Sequence, residues 1–115
     1  MDRPGNAPWH VEKITPAGVG QSDATSIPIK SSPAIVVVTG NSVGGIVLPT
    51  ASKGKVFVIW NAGTTGLQVL FVYPTINDQI NSLGANVALQ MQPQTSAMFI
   101  AVDSLTWLTT PTVPS

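Results

Sequence analysis

The stretch NAGTTGLQVLFVYP, residues 61–74, joins a glycine-rich turn to a strand that is apolar on nearly every side. The segment before it, KVFVIWNA (55–62), has the β-branched and aromatic content of another strand. Loops of this length between two such runs are typical of β-hairpins, so residues 62–66 are predicted to be a hairpin loop. Pro74 ends the return strand, because proline cannot donate to a β-ladder.

Both strands of this predicted hairpin carry apolar side chains on both faces. Leu70 and Val72 make one face of the return strand apolar, and Tyr73 lies on the other face. In an antiparallel sheet with one solvent-exposed face, apolar and polar residues should alternate along each strand. We therefore expect the outer face of the hairpin to be covered by the N-terminal segment or by another chain. The predicted interface residues are Trp60, Leu70, Val72 and Tyr73.

Short apolar runs with turn residues between them continue along the rest of the chain. They lie at 34–40, 44–49, 87–92, 96–102 and 105–110. No window shows the periodicity of an amphipathic helix of useful length. Regularly spaced short strands predict an all-β protein, a small antiparallel β-sandwich or small barrel.

The N-terminal segment 1–33 differs from the rest because it is rich in proline and shows no clear periodicity. We predict an extended proline-rich arm over 1–33, a β-sandwich domain over 34–110 and a short tail over 111–115. The arm has too many apolar residues for a solvated tail, so part of it should be buried against this domain or a neighbouring subunit. The alternative is a disordered leader.

Composition restricts the possible partners. The chain has 115 residues, 43% hydrophobic and only 9% charged, and its formal net charge is zero. Average soluble domains contain roughly 25% charged residues. An uncharged chain has no field to attract nucleic acid or an anionic membrane, and no apolar run reaches the length of a membrane span. These features predict no nucleic-acid or membrane partner and favour a component of an assembly.

Chemistry-bearing residues are scarce. The chain has no cysteine, its one histidine (His10) lies in the predicted arm, and Asp78 and Asp103 are the only carboxylates after the arm. Both aspartates are explained as turn residues. Gly40, Gly44 and Gly45 lack the following Gly-Lys-Ser/Thr of a phosphate-binding loop. We therefore predict no catalytic residue, no metal ligand and no cofactor, and a protein that is not an enzyme.

The order of turns and strands over residues 44–107 resembles a pattern found in virion proteins of tailed bacteriophages. Its pieces are a strand closed by VLP, a turn ending in Gly-Lys, strands ending in NAG and VYP, an Ile-Asn loop and a terminal Trp107. The resemblance is to head decoration (cement) proteins and related β-sandwich virion proteins. It implies a jelly-roll-like sandwich on the outer capsid surface, forming homotrimers that clamp adjacent major capsid subunits, often with an extended arm.

On that resemblance, five apolar residues of the arm are expected to contact neighbouring chains of the capsid: Trp9, Val11, Ile14, Ile27 and Ile29. The trimer interface would be formed by the four hairpin residues Trp60, Leu70, Val72 and Tyr73. Trp107 would lie in the core. The alternative function is a head-fibre or tail-appendage module that binds a host receptor or carbohydrate. Such a module would use the loops around Asn41 and 77–86.

Overall fold

The structure, a computed structural model, describes residues 9–28, 31–40 and 42–114. Ten strands and no helix occur in these residues, which confirms the all-β class. The strands are β1 (His10–Ile14), β2 (Thr25–Ser26), β3 (Ala34–Val38), β4 (Gly44–Val47), β5 (Val56–Asn61), β6 (Leu70–Tyr73), β7 (Gln79–Ile80), β8 (Leu89–Met91), β9 (Ser96–Ala101) and β10 (Thr106–Thr110).

The strands form two sheets, and the chain winds between them as a coil. Sheet A has the order β1-β3-β5-β9-β10-β7, and sheet B has the order β2-β4-β6-β8. For its first six strands the chain alternates between the sheets, placing each new strand parallel to the previous strand of that sheet. His10 pairs with Ala34, and Ala34 pairs in turn with Phe57, so successive turns of the coil are nearly equal in length. The first half of the fold is therefore solenoid-like.

The second half closes the fold with antiparallel pairs. β9 lies between β5 and β10 and is antiparallel to both, and β8 is antiparallel to β6. β7 pairs with β10 at the far edge of sheet A. Five of the eight strand pairs are parallel, so the prediction of an antiparallel sandwich is wrong for strand direction.

The predicted hairpin at residues 62–66 is also wrong, because β5 belongs to sheet A and β6 to sheet B. The segment is a corner between sheets, fixed by the buried amide of Asn61. Asn61 Nδ2 donates to the carbonyls of Gln68 (2.7 Å) and Met91 (3.0 Å), and Oδ1 accepts from Gly63 N (3.2 Å). These bonds tie the corner to the end of β8 instead of pairing the two strands.

The N-terminal segment differs from the predicted extended arm. Its described part supplies the edge strand β1 to sheet A and β2 to sheet B. Between them, Gly45 N donates to Ala17 O (3.1 Å), and the Tyr73 hydroxyl accepts from Gly20 N (2.8 Å). Since its ladders are continuous with those of residues 34–110, this segment is the first turn of the coil.

One hydrophobic core fills the space between the inner faces of the two sheets. Trp107, Phe57 and Phe99 are its largest buried side chains, and the Trp107 and Phe57 rings meet edge-to-face at 5.7 Å. Trp107 is therefore confirmed as a core residue. β5 contributes Phe57 and Ile59 inward and turns its alternate residues outward, as expected from the two-residue period of a strand.

Candidate interaction surface

The outward side of sheet A forms a continuous surface, here called the outer face. Cross-strand pairing aligns its residues in rows: Val11, Ile35, Val58 and Met98 in one row, and Val37 beside Trp60 in the next. A third row runs from Val56 through Ile100 to Leu108. Nine of these side chains are apolar and come from five neighbouring strands.

The outer face remains accessible although it is apolar. Val11, Trp60 and Leu108 expose 54%, 41% and 47% of their surface, and the other six are half-buried. Five strands about 4.8 Å apart and about 17 Å long cover roughly 400 Å². The largest apolar patch on a typical monomeric protein covers about 300–600 Å² and is often functional, so the outer face is a candidate interaction site.

The margins of the outer face are polar. Among the described residues, Lys13 of β1 is its one charged residue, and Thr106 and Thr110 of β10 lie at the other side. Gln79 of β7 follows, with its Nε2 donating to Thr106 Oγ1 (3.3 Å). An apolar centre with a tryptophan and a methionine inside a polar rim is the usual arrangement of a protein–protein interface.

The structure separates the four predicted interface residues. Trp60 lies on the outer face. Leu70 and Val72 are fully buried in the chain's own core, so their assignment to a subunit interface is wrong: their side of β6 faces sheet A. Tyr73 is half-buried on the opposite side of β6. Its ring stacks on Phe71, with 6.5 Å between the ring centroids, and its hydroxyl accepts a hydrogen bond from Gly20 N.

The predicted capsid contacts of the arm are also separated. Trp9 and Val11 are exposed, at 39% and 54%, whereas Ile14 packs against the core. Ile27 is buried in the core, so its predicted contact with another chain is wrong. Ile29 lies outside the described residues.

A second feature is a cleft of about 410 Å³ at the end of sheet B where β2, β4 and β6 finish. Its walls come from the residues that follow these strands, together with Gln21 and Lys55. Sequence reasoning did not find this cleft, because its residues lie in three turns that only the coil brings together.

Four ionisable side chains, three carboxylates and one histidine, have hydrogen-bond or ion-pair partners within the described residues. Asp78 is buried and accepts from Ala51 N (3.0 Å), a partner distant in sequence. Asp103 opens its turn as predicted, accepting from Leu105 N (2.8 Å), and this backbone hydrogen bond lowers the pKa of the Asp103 carboxyl. His10 pairs with Glu12 at 3.2 Å on β1.

Within residues 9–28, 31–40 and 42–114, no group of three or more His, Cys, Asp or Glu side chains is arranged to hold a metal ion. The described part of the chain also contains no helix with the length and apolar character of a membrane span. Comparisons with protein-family models, curated proteins and solved structures found no match to this chain.

Proposed function

We propose that this protein is a structural virion protein, a decoration (cement) protein of a tailed bacteriophage. It forms a homotrimer on the outer capsid surface and stabilises contacts between major capsid subunits. The observation that carries the proposal is the outer face: nine apolar side chains with one lysine at the margin, on a chain with only 9% charged residues. A surface of this kind supports a role in assembly.

The outer face supports association between copies because it carries almost no charge to oppose self-contact. In a homotrimer, each copy can turn its outer face toward the threefold axis. Each outer face then contacts the outer faces of both other copies, and the trimer is closed. Trp60, on the central strand β5, is the anchor of this arrangement, since tryptophan is enriched among the residues that dominate interface energy.

Contact with the capsid is assigned to Trp9, which precedes β1 at the margin of the outer face and is 39% exposed. Burying apolar surface contributes roughly 25 cal/mol per Å². One such contact is modest, but three linked copies bind with the avidity of all three. Cement activity follows from repetition of this contact over the shell.

The proposal also includes the assignment of the fold as a β-sandwich. Two sheets that share one core support a sandwich. The parallel coil of β1 to β6 departs from the jelly roll, whose strands pair in antiparallel Greek keys.

Capsids assembled without this protein provide the test of the function. Addition of the protein should decorate them and raise the temperature at which the shells disrupt. Trp9→Ala should reduce occupancy on pelleted capsids by about 10-fold, as expected for loss of one interface anchor. Leu67→Ala is the matched control, because Leu67 is equally apolar and more exposed (71%) but lies in the β5–β6 corner.

Failure of the unaltered protein to bind these capsids would contradict the proposal. Binding to host cells by the isolated protein would instead favour a head-fibre or tail-appendage module. Point variants are needed here because deleting residues 1–32 would remove β1, β2 and the core residue Ile27.

A further inference from the structure

The cleft at the end of sheet B brings together side chains from three successive turns of the coil. Ser26 ends β2, Thr50 follows β4 and Thr75 follows β6, and all three line the cleft. Its volume of about 410 Å³ lies within the range of roughly 300–1,000 Å³ typical of small-molecule sites. Because the ends of β2, β4 and β6 lie side by side in sheet B, these three residues line one cleft although they are far apart in sequence.

Two hydrogen bonds hold the walls in place. Thr75 Oγ1 donates to Leu48 O (2.8 Å), which links the turn after β6 to the turn after β4. Gln21 Nε2 donates to Pro74 O (2.7 Å) and fixes the third wall, supplied by the β1–β2 connection. Side-chain hydrogen bonds to backbone carbonyls therefore hold the segments that line the cleft in fixed positions relative to each other.

Three polar groups that line the cleft, on the exposed Ser26 and Thr50 and the half-buried Lys55, are open to solvent and can exchange water for a ligand. Among the described residues, the hydroxyls of Ser26 and Thr50 have no hydrogen-bond partner, and the Lys55 ammonium has neither a hydrogen bond nor an ion pair. No carboxylate lines the cleft within this part of the chain. Asp78, the nearby buried acid, instead accepts from Ala51 N.

We propose that this cleft binds a small hydroxylated carboxylate, such as an acidic sugar. The unpaired Lys55 ammonium supplies a charge-assisted hydrogen bond to the carboxylate, and the Ser26 and Thr50 hydroxyls bond to the ligand's own hydroxyls. Val47, Pro49 and Ile76 are apolar lining residues with accessible side chains, and they suit the C–H face of a sugar ring. This site is separate from the outer face and does not depend on the proposed function.

Titration of the ¹⁵N-labelled full chain with glucuronate tests the site, with glucose as the uncharged matched ligand. Glucuronate should shift the amide signals of Ser26, Thr50 and Lys55, and glucose should bind at least about 10-fold more weakly because a charged hydrogen bond is lost. A hyaluronan tetrasaccharide distinguishes a free sugar acid from the same acid within a polymer. Shifts with the tetrasaccharide at lower concentration than with the monomer would assign the site to a polymer.

Lys55→Met should weaken glucuronate binding by about 10-fold or more. Lys53→Met is the control, because Lys53 is an exposed lysine nearby in the same turn that does not line the cleft, and it should leave binding unchanged. Thr50→Val should weaken binding while keeping the shape of the wall. The proposal is overturned if none of the three ligands shifts the cleft signals, if glucose and glucuronate bind alike, or if the two lysine variants behave alike.

Discussion

Replacing Gly63 by alanine is expected to lower the free energy of unfolding by about 3 kcal/mol or more, because the space beside Gly63 is already filled. A Cβ on Gly63 would overlap the Cβ and Cγ of Gln68. Gln68 is fully buried, with its Nε2 directed to Thr39 O (3.5 Å), so it has nowhere to move. Overpacking a core costs about 1–3 kcal/mol, and displacement of a buried amide adds to that. Urea denaturation monitored by circular dichroism measures the change.

The matched control is Gly66→Ala in the same corner, where an added Cβ meets nothing within 4 Å. It should change stability by less than about 0.5 kcal/mol. If Gly63→Ala gives no folded protein, adding Gln68→Gly removes both overlapping atoms and should restore part of the stability. Equal stability of the two alanine variants would contradict the described packing of the corner.

Replacing Trp60 by lysine is expected to weaken association between copies by at least about 30-fold. Tryptophans at interface centres contribute about 2–4 kcal/mol, and every 1.4 kcal/mol is about a factor of ten. Trp60 is 41% exposed on the single chain, and the lysine stem can cover the same apolar neighbours. Sedimentation velocity over a concentration series should therefore show dissociation, while thermal melting of the dissociated chain stays cooperative.

Leu67→Lys is the control for this substitution. It introduces the same charge at an apolar residue that is more exposed, at 71%, but lies outside the outer face. Its association should match that of the unaltered protein. If Trp60→Lys associates as tightly as the control, the outer face is not the interface.

The sequence was sufficient to predict seven of the ten strands and part of the core, but β1 and β2 fell in the predicted arm and β7 in a predicted loop. The runs predicted at 34–40, 96–102 and 105–110 contain β3, β9 and β10. The two-residue period of a strand sets Phe57 and Ile59 of KVFVIWNA on the side opposite Trp60, and β5 has this arrangement. These predictions depend on local propensity and alternation, which the sequence records directly.

Strand pairing was missed because the turn at 62–66 has the length of a hairpin loop but turns a corner between sheets. One signal of the coil is the spacing of three prolines: Pro28, Pro49 and Pro74 follow the ends of β2, β4 and β6 within two residues. Repeats spaced by roughly 20–50 residues are typical of solenoids. Strands that are apolar on both faces also fit parallel sheets better than a hairpin.

Leu70 and Val72 show why an apolar strand alone does not identify an interface. Both side chains fill the core opposite sheet A, together with the polar Gln68 on the same side of the segment. Gln68 is polar, yet it is fully buried at the corner, where Gly40 and Gly63 leave room for its side chain. Only the packing of the corner reveals which side of β6 points inward.

The central claim is that the outer face of sheet A joins copies of this chain. Sedimentation equilibrium of the unaltered protein at micromolar concentration tests it most directly. We expect a mass three times that of a single chain. A dimer would contradict the threefold arrangement while retaining self-association, and the mass of a single chain across the whole concentration range would contradict the claim itself.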